Sequence, residues 1–269
     1  MRKIFFPATL SLLVATLLFV SCGSRGTSAE ADGLRFDSIV KDTTLLLVQN
    51  ADTGRCTLHM SVLFAQGKNA QVVNDTLLSS DIFWKVFCDS SLVGMTPQGA
   101  LDTYTQCFID NYRSEIEPLL SDGFGGPAAT YSYDVRTTAE PGRDSTVAYV
   151  ASIYAYTGGA HGSAETVAMN FDLNTGRKMG LDDVFLHGYE ATTNKLITNH
   201  LLREFKARSL DDLRQQGLFF AQDVYTPSNF ILSRDSITFI FMQDEIAPHA
   251  LGEIRVTLSY KDLDGVLRH

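Results

Sequence analysis

One histidine, His161, stands among three glycines in YTGGAHGS (residues 156–163), between two long β-patterned runs. An imidazole in such a setting can move a proton, hold a metal or hydrogen-bond an oxygen-rich ligand. Backbone amides of Gly158, Gly159 and Gly162, with His161 and Tyr156, would make a small polar pocket for a carbohydrate or a carboxylate. The simpler reading is structural: glycines reach positive φ at no steric cost, so the segment is a tight connection that only tolerates its histidine. Glu165 follows His161 by four residues, but in turn and strand that spacing does not place two side chains on one face as it does on a helix. The zinc-protease pattern HExxH and the nucleophile elbow GxSxG are absent. Asp182, Asp183 and His187 form an acidic cluster, which reads better as stabilisation of a short helix N-terminus than as a metal site. DLNTG (172–176) lacks the later acidic positions of a calcium loop. No catalytic residue, metal or cofactor is therefore assigned.

The elements that would position this stretch are legible around it. TYSYDVRTT, STVAYVASIYAYT and AETVAMNFDL read as three strands joined by the turns AEPGRD and GGAHGS, a run of antiparallel hairpins. Alternation places Tyr154 and Tyr156 on one face and Tyr149 on the other; core packing is the ordinary fate of such aromatics. Before them come two strands in TTLLLVQN and CTLHMSVLFAQG, then the ambiguous apolar run DIFWKVFCDS, which fits a strand or the start of a helix. A long helix follows, capped by Thr96 with Pro97 in its first turn; Leu101, Tyr104, Phe108, Tyr112 and Ile116 share its inner face, and Pro118 should end it. LDDVFL reads as a turn of helix and EATTNKLITNHLLREFKAR as a second long one. That helix carries His200 on its apolar side, as a core histidine. The strands NFILS, SITFIFM and EIRVTLSY complete the chain. Strands with segregated helices, and no βαβ alternation, indicate an α+β fold of antiparallel sheets.

The first residues give a location. Arg2 and Lys3 precede an apolar run from Ile4 to Val20, and small residues lead to Cys22. This is a secretory signal (residues 1–21) of the lipoprotein type, with Cys22 as the lipidated residue and 22–35 as a tether. The membrane is thus reached through a lipid anchor. A net charge of −9 argues against nucleic acid, whose phosphates require an excess of lysine and arginine. Three cysteines remain after Cys22, so at most one disulfide forms among them. Cys88 with Cys107 is the preferred pair, although Cys107 on an apolar helix face also suits a buried thiol.

Taken in order, YTGGAHG, NFDLNTGRKMGLDDVF and SNFILSRDSITFIFMQDEIAPHALG resemble the RsiV-like extracytoplasmic domain of lysozyme-sensing anti-sigma factors. Residues 36–157 are similar to the region preceding the catalytic domain in PdaC-type peptidoglycan deacetylases, and 158–269 form the RsiV-like part. The resemblance implies a non-catalytic envelope lipoprotein that binds a lysozyme-like protein or a peptidoglycan fragment. His249 stands in the EIAPHA block where the family is expected to have an aromatic such as tyrosine. Two other readings stay open: a cell-wall hydrolase using His161 and nearby carboxylates, and an accessory subunit of an envelope complex.

Overall fold

The computed structural model describes residues 33–49, 53–219 and 222–268. The signal, the lipidation at Cys22 and all but the end of the tether lie outside them. Strands β1 (Arg35–Leu46), β2 (Arg55–Gln66), β3 (Thr130–Pro141), β4 (Thr146–Thr157), β5 (Ser163–Asp172) and β6 (Lys178–Met179) form one sheet in that spatial order. Every neighbouring pair is antiparallel except β2 and β3, which run parallel. A parallel pair needs a long crossover, and here it contains α1 (Ala70–Leu78) and α2 (Pro97–Ser121). This is the α+β class expected, with one parallel pair that hairpin reasoning does not anticipate.

Helix α2 packs on one face of this sheet through the stripe read from the sequence. Leu101, Tyr104, Phe108, Tyr112 and Ile116 are all buried, and Thr96 Oγ1 caps the helix by accepting from Gly99 N at 3.2 Å. Contrary to the expectation for Pro118, the helix continues to Ser121. Proline removes a donor but keeps its carbonyl, and that oxygen accepts from Asp122 N at 3.0 Å, completing the last turn. DIFWKVFCDS forms neither strand nor helix; it is a series of turns whose Ile82, Phe83, Phe87 and Cys88 are buried. A disulfide between Cys88 and Cys107 ties it to α2. Cys56 remains a buried thiol, its pKa pushed up to about 12 by desolvation. Tyr112, Tyr133 and Tyr149, almost wholly buried, donate their hydroxyls to the carbonyls of Ala129, Ile82 and Leu63, each at 2.9 Å. Each ring is thus buried without stranding its polar end.

A second, three-stranded antiparallel sheet comprises β7 (Phe230–Leu232), β8 (Ser236–Phe241) and β9 (Ile254–Ser259). Its core also takes side chains from α3 (Leu181–Val184), α4 (Glu190–Glu204) and α5 (Leu210–Gln215). Ile197 and Leu201 are buried on α4 as read; His200 is only half-buried, 3.7 Å from Glu204. The larger sheet continues from β4, which ends at Thr157, into β5, which begins at Ser163, and the two cores part between Leu173 and Met179.

Strand β6 is only two residues long, so most of β5 has no strand on that side. Two asparagines satisfy the exposed backbone instead. Asn229 accepts from Ala168 N at 2.8 Å and donates to Thr166 O at 2.7 Å. Asn170, 1% exposed, donates to Phe230 O and accepts from Leu232 N, both at 2.8 Å. Each side-chain amide thus serves the backbone of the opposite sheet. Replacing Asn170 by alanine leaves a buried donor and acceptor unpaired, and should cost about 2–4 kcal/mol. Urea unfolding monitored by circular dichroism measures this, and a cost below about 1 kcal/mol would mean that water or a backbone shift replaces the amide.

Candidate functional site

GGAHG is the turn between β4 and β5, and its glycines have separate steric reasons. Gly158 has φ +86°, and a Cβ there would lie 2.5 Å from the Ala128 carbonyl oxygen. Gly162 has an ordinary φ, but its Cβ would meet the ring and hydroxyl of Tyr154 at 2.5 Å. Tyr156 closes the turn by donating its hydroxyl to Gly159 O at 2.9 Å. Gly159 itself is open: a Cβ there would meet nothing but the His161 carbonyl, at 3.7 Å. The five sequence candidates are therefore adjacent, yet they converge on the turn rather than on an enclosed pocket.

His161 is exposed and reaches across to the second sheet. Its ring centroid lies 4.0 Å from that of His249, with the planes tilted by 38°. His249 opens the short 3₁₀ turn His249–Leu251 in the β8–β9 connection, and its Nδ1 is 2.8 Å from Asp244 Oδ2. Gln243 joins the same two segments: its Oε1 accepts from Ala164 N at 3.3 Å, and its Nε2 donates to His249 O at 3.1 Å. The position where the family pattern led us to expect tyrosine thus still carries a ring against the GGAHG turn.

Beside this junction lies an open groove of about 370 Å³, lined by Asp134, Ser152, Tyr154, Thr166, Gln243 and Glu253 among others. Register explains the grouping, since Tyr154 lies directly opposite Asp134, and Ser152 opposite both Arg136 and Thr166. Directly opposed residues share a sheet face. Tyr154 is 45% exposed, whereas Tyr149, of opposite parity, is fully buried. Of the groove's three carboxylate residues, Asp134 and Glu253 are matched, while Glu165 turns its side chain to the other sheet face. Asp134 is held by the Arg136 fork at 2.9 and 3.1 Å, and Glu253 by Arg255 Nε at 2.5 Å.

Glu165 does not join His161. It lies opposite Ile153, whose side chain is buried in the first core, so it shares that face and not the face of Tyr154. Burial, and secondarily the charge of Asp81, raise its pKa. No hydrogen bond joins these two residues among the described ones. Among the described residues, no serine, threonine or cysteine side chain is hydrogen-bonded to a histidine, and no group of three His, Cys, Asp or Glu could hold a metal ion. Asp183 accepts from Gly180 N at 2.8 Å and is 3.6 Å from Arg177. The DLNTG aspartate, Asp172, turns its Oδ1 onto the amides of Asn174 and Thr175 at 2.9 and 2.8 Å.

The groove residues escaped the sequence reading because Asp134, Ser152 and Glu253 sit in no motif, and Gln243 lies inside the block SNFILSRDSITFIFMQDEIAPHALG without a signal of its own. The signal that existed was parity: an aromatic on the face opposite Tyr149 had to leave the core.

A family model described as a protein of unknown function, DUF3298, matches residues 182–261. These residues include the β8–β9 connection with His249, but not the GGAHG turn. The peptidoglycan-N-acetylmuramic acid deacetylase PdaC of Bacillus subtilis (strain 168) is 29% identical over 125 residues, 46% of this chain. The match covers 26% of that relative, so this chain spans about a quarter of its length. A solved DUF3298 family member from Bacteroides fragilis NCTC 9343 superposes with a TM-score of 0.76 at 25% identity, over 89% of this chain and 95% of that one. A DUF3298 family protein from Pseudomonas aeruginosa PAO1 shares the fold, with a TM-score of 0.62 at 16% identity over 89% and 97%.

Two substitutions check this geometry. Gly158→Ala combines positive φ with a clash against fixed backbone, and should destabilise by about 1–3 kcal/mol in urea unfolding. Glu165→Gln has a pH signature. A carboxyl whose folded pKa is raised favours its neutral form, so the wild type loses stability as pH rises through that pKa. The variant should melt at a higher temperature than wild type at pH 7, with the gap closing towards pH 4; a pH-independent gap would count against burial as the cause.

Proposed function

We propose that this chain, through the DUF3298 domain in residues 182–261 and the sheet packed against it, is a non-catalytic envelope module that binds cell-wall glycan. The observation that carries this is the groove, which combines an exposed tyrosine ring with matched charges. Arg136 with Asp134 and Arg255 with Glu253 offer donors and acceptors without net charge, and Gln243, Ser152 and Thr166 add neutral ones. Hydroxylated sugar rings fit such a surface, with the apolar ring face on Tyr154 and hydroxyls on the polar groups. The PdaC relative, named for a peptidoglycan sugar, supports the same ligand class.

His161, Gly158, Gly159, Gly162 and Tyr156 shape and brace the rim. The imidazoles of His161 and His249 contact each other and lack a nucleophile among the described residues, which favours recognition over hydrolysis. The sequence resemblance to the RsiV-like domain suggests a lysozyme-like protein as the competing ligand. The pairing of Asp134 and Glu253 with arginines favours the glycan, because a basic protein is drawn more strongly by carboxylates that stand alone. The signal-like leader supports a location at the envelope, with the module tethered through lipid on Cys22.

Calorimetric titration of residues 23–269 with soluble peptidoglycan fragments and with lysozyme tests the ligand. Fragments should bind saturably, and Tyr154→Ala should weaken them about tenfold, corresponding to about 1.4 kcal/mol. His161→Ala should weaken them much less. Saturable binding of lysozyme alone, or fragment binding indifferent to Tyr154, would overturn the proposal. Separately, Cys22→Ala should move the full-length chain from the membrane to the soluble fraction of cells, as read by immunoblotting; unchanged membrane association would reject the lipid anchor.

A further inference from the structure

A second concavity, of about 360 Å³, lies at the seam of the two cores, away from the tyrosine groove. The β3–β4 turn (Arg143 to Thr146) and the β5–β6 turn (Asp172, Asn174) form one side. Met179, Val184, Leu232, Leu267, Tyr260 and Arg268 form the other. Four apolar side chains and the Tyr260 ring share its lining with eight polar or charged residues, a mixture of apolar surface and placed polar groups that suits a small polar ligand.

Two arginines, Arg143 and Arg268, and three aspartates, Asp144, Asp172 and Asp183, line it. Arg143 is positioned with its guanidinium carbon 4.6 Å above the centre of the Tyr260 ring and its Nε 3.2 Å from Asp144. Arg268 is fixed from the other side by Nε donating to Phe185 O at 2.9 Å. Among the described residues, the terminal guanidinium nitrogens of both arginines lack a hydrogen-bond partner, and Arg268 has no carboxylate partner. Each aspartate nearby already engages one or both of its oxygens. Asp144 faces Arg143, Asp183 takes Gly180 N and Arg177, and Asp172 takes the backbone and hydroxyl of Thr175 and the amide of Asn174. Although burial opposes it, those bonds hold the Asp172 carboxyl below the usual carboxylate range. The Tyr260 hydroxyl is turned away onto Ser233 O at 2.8 Å.

From this arrangement we infer a binding site for a small carboxylic acid with a short apolar body, such as an N-acylated amino acid or the C-terminal residue of a peptide. The carboxylate meets the terminal nitrogens of Arg143 and Arg268, and the apolar body packs on Leu232, Leu267 and Val184. Arginine is the side chain suited to this pairing, because its planar fork matches the two carboxylate oxygens. The inference is independent of the glycan reading, since the two sites share no residue.

Titration of ¹⁵N-labelled residues 23–269 with N-acetyl-leucine, followed by ¹H–¹⁵N NMR, tests it. N-acetyl-leucinamide is the uncharged control. The acid should shift the Nε signals of Arg143 and Arg268 and the amides of Ser145 and Leu267, and the amide should bind at least tenfold more weakly. Arg143→Gln and Arg268→Gln should each weaken the acid about tenfold, while Tyr154→Ala should leave its affinity unchanged. Arg268→Gln also removes the bond to Phe185 O, so Arg143→Gln, with its dispersed spectrum as the check on folding, is the deciding variant. Absence of shifts at 20 mM acid, equal binding of acid and amide, or an unchanged affinity in Arg143→Gln would overturn the site.

Discussion

The architecture depends on an exchange of hydrogen bonds between two side-chain amides and two strand backbones. Strand β5 ends the long sheet with almost no partner beyond it, and a buried strand edge with unpaired N–H and C=O groups is costly. Asn229 supplies the missing pair of bonds to β5, and Asn170 returns the pair to β7. An amide is suited to this because it offers a donor and an acceptor a few ångströms apart, as a strand backbone does. The small β7–β9 sheet is thereby held against β5 without being a continuation of it. Everything between the two sheets, including the groove beside Tyr154 and the arginine-lined seam, inherits its geometry from that junction.

The GGAHG turn belongs to the same junction. Its glycines are required where backbone comes close to Ala128 and where the Tyr154 ring lies on the chain. Its histidine makes the contact that meets the β8–β9 connection, reinforced by Gln243. Two segments separated by some eighty residues in sequence become neighbours, one within the DUF3298 match and one before it. In this stretch Gly158 and Gly162 permit close approach, and the histidine contacts the connection between β8 and β9.

Much of this was readable from local pattern. The α2 stripe, the three hairpin strands and the opposite facing of Tyr149 and Tyr154 follow from periods of 3.6 and 2, which survive because one side of each element is buried. What escaped was long-range or unpatterned. The parallel pairing of β2 with β3 depends on where a crossover of helices lands. DIFWKVFCDS alternates like a strand, but a disulfide and aromatic packing stabilise it as turns. Helix α1 is short and went unmarked, starting after Asn69 at φ 63° with no side-chain cap. The groove was invisible because its polar residues come from four separate elements, and the asparagine exchange because Asn170 and Asn229 look like ordinary polar residues until their partners are known.

The most direct test is amide hydrogen exchange by mass spectrometry on Asn229→Ala, compared with wild type. If the amide exchange holds the sheets together, peptides covering residues 156–166 and 242–253 should lose protection together, while those covering β2 and β3 keep theirs. Loss confined to the segment around residue 229, with both groove-forming segments as protected as in wild type, would contradict the account.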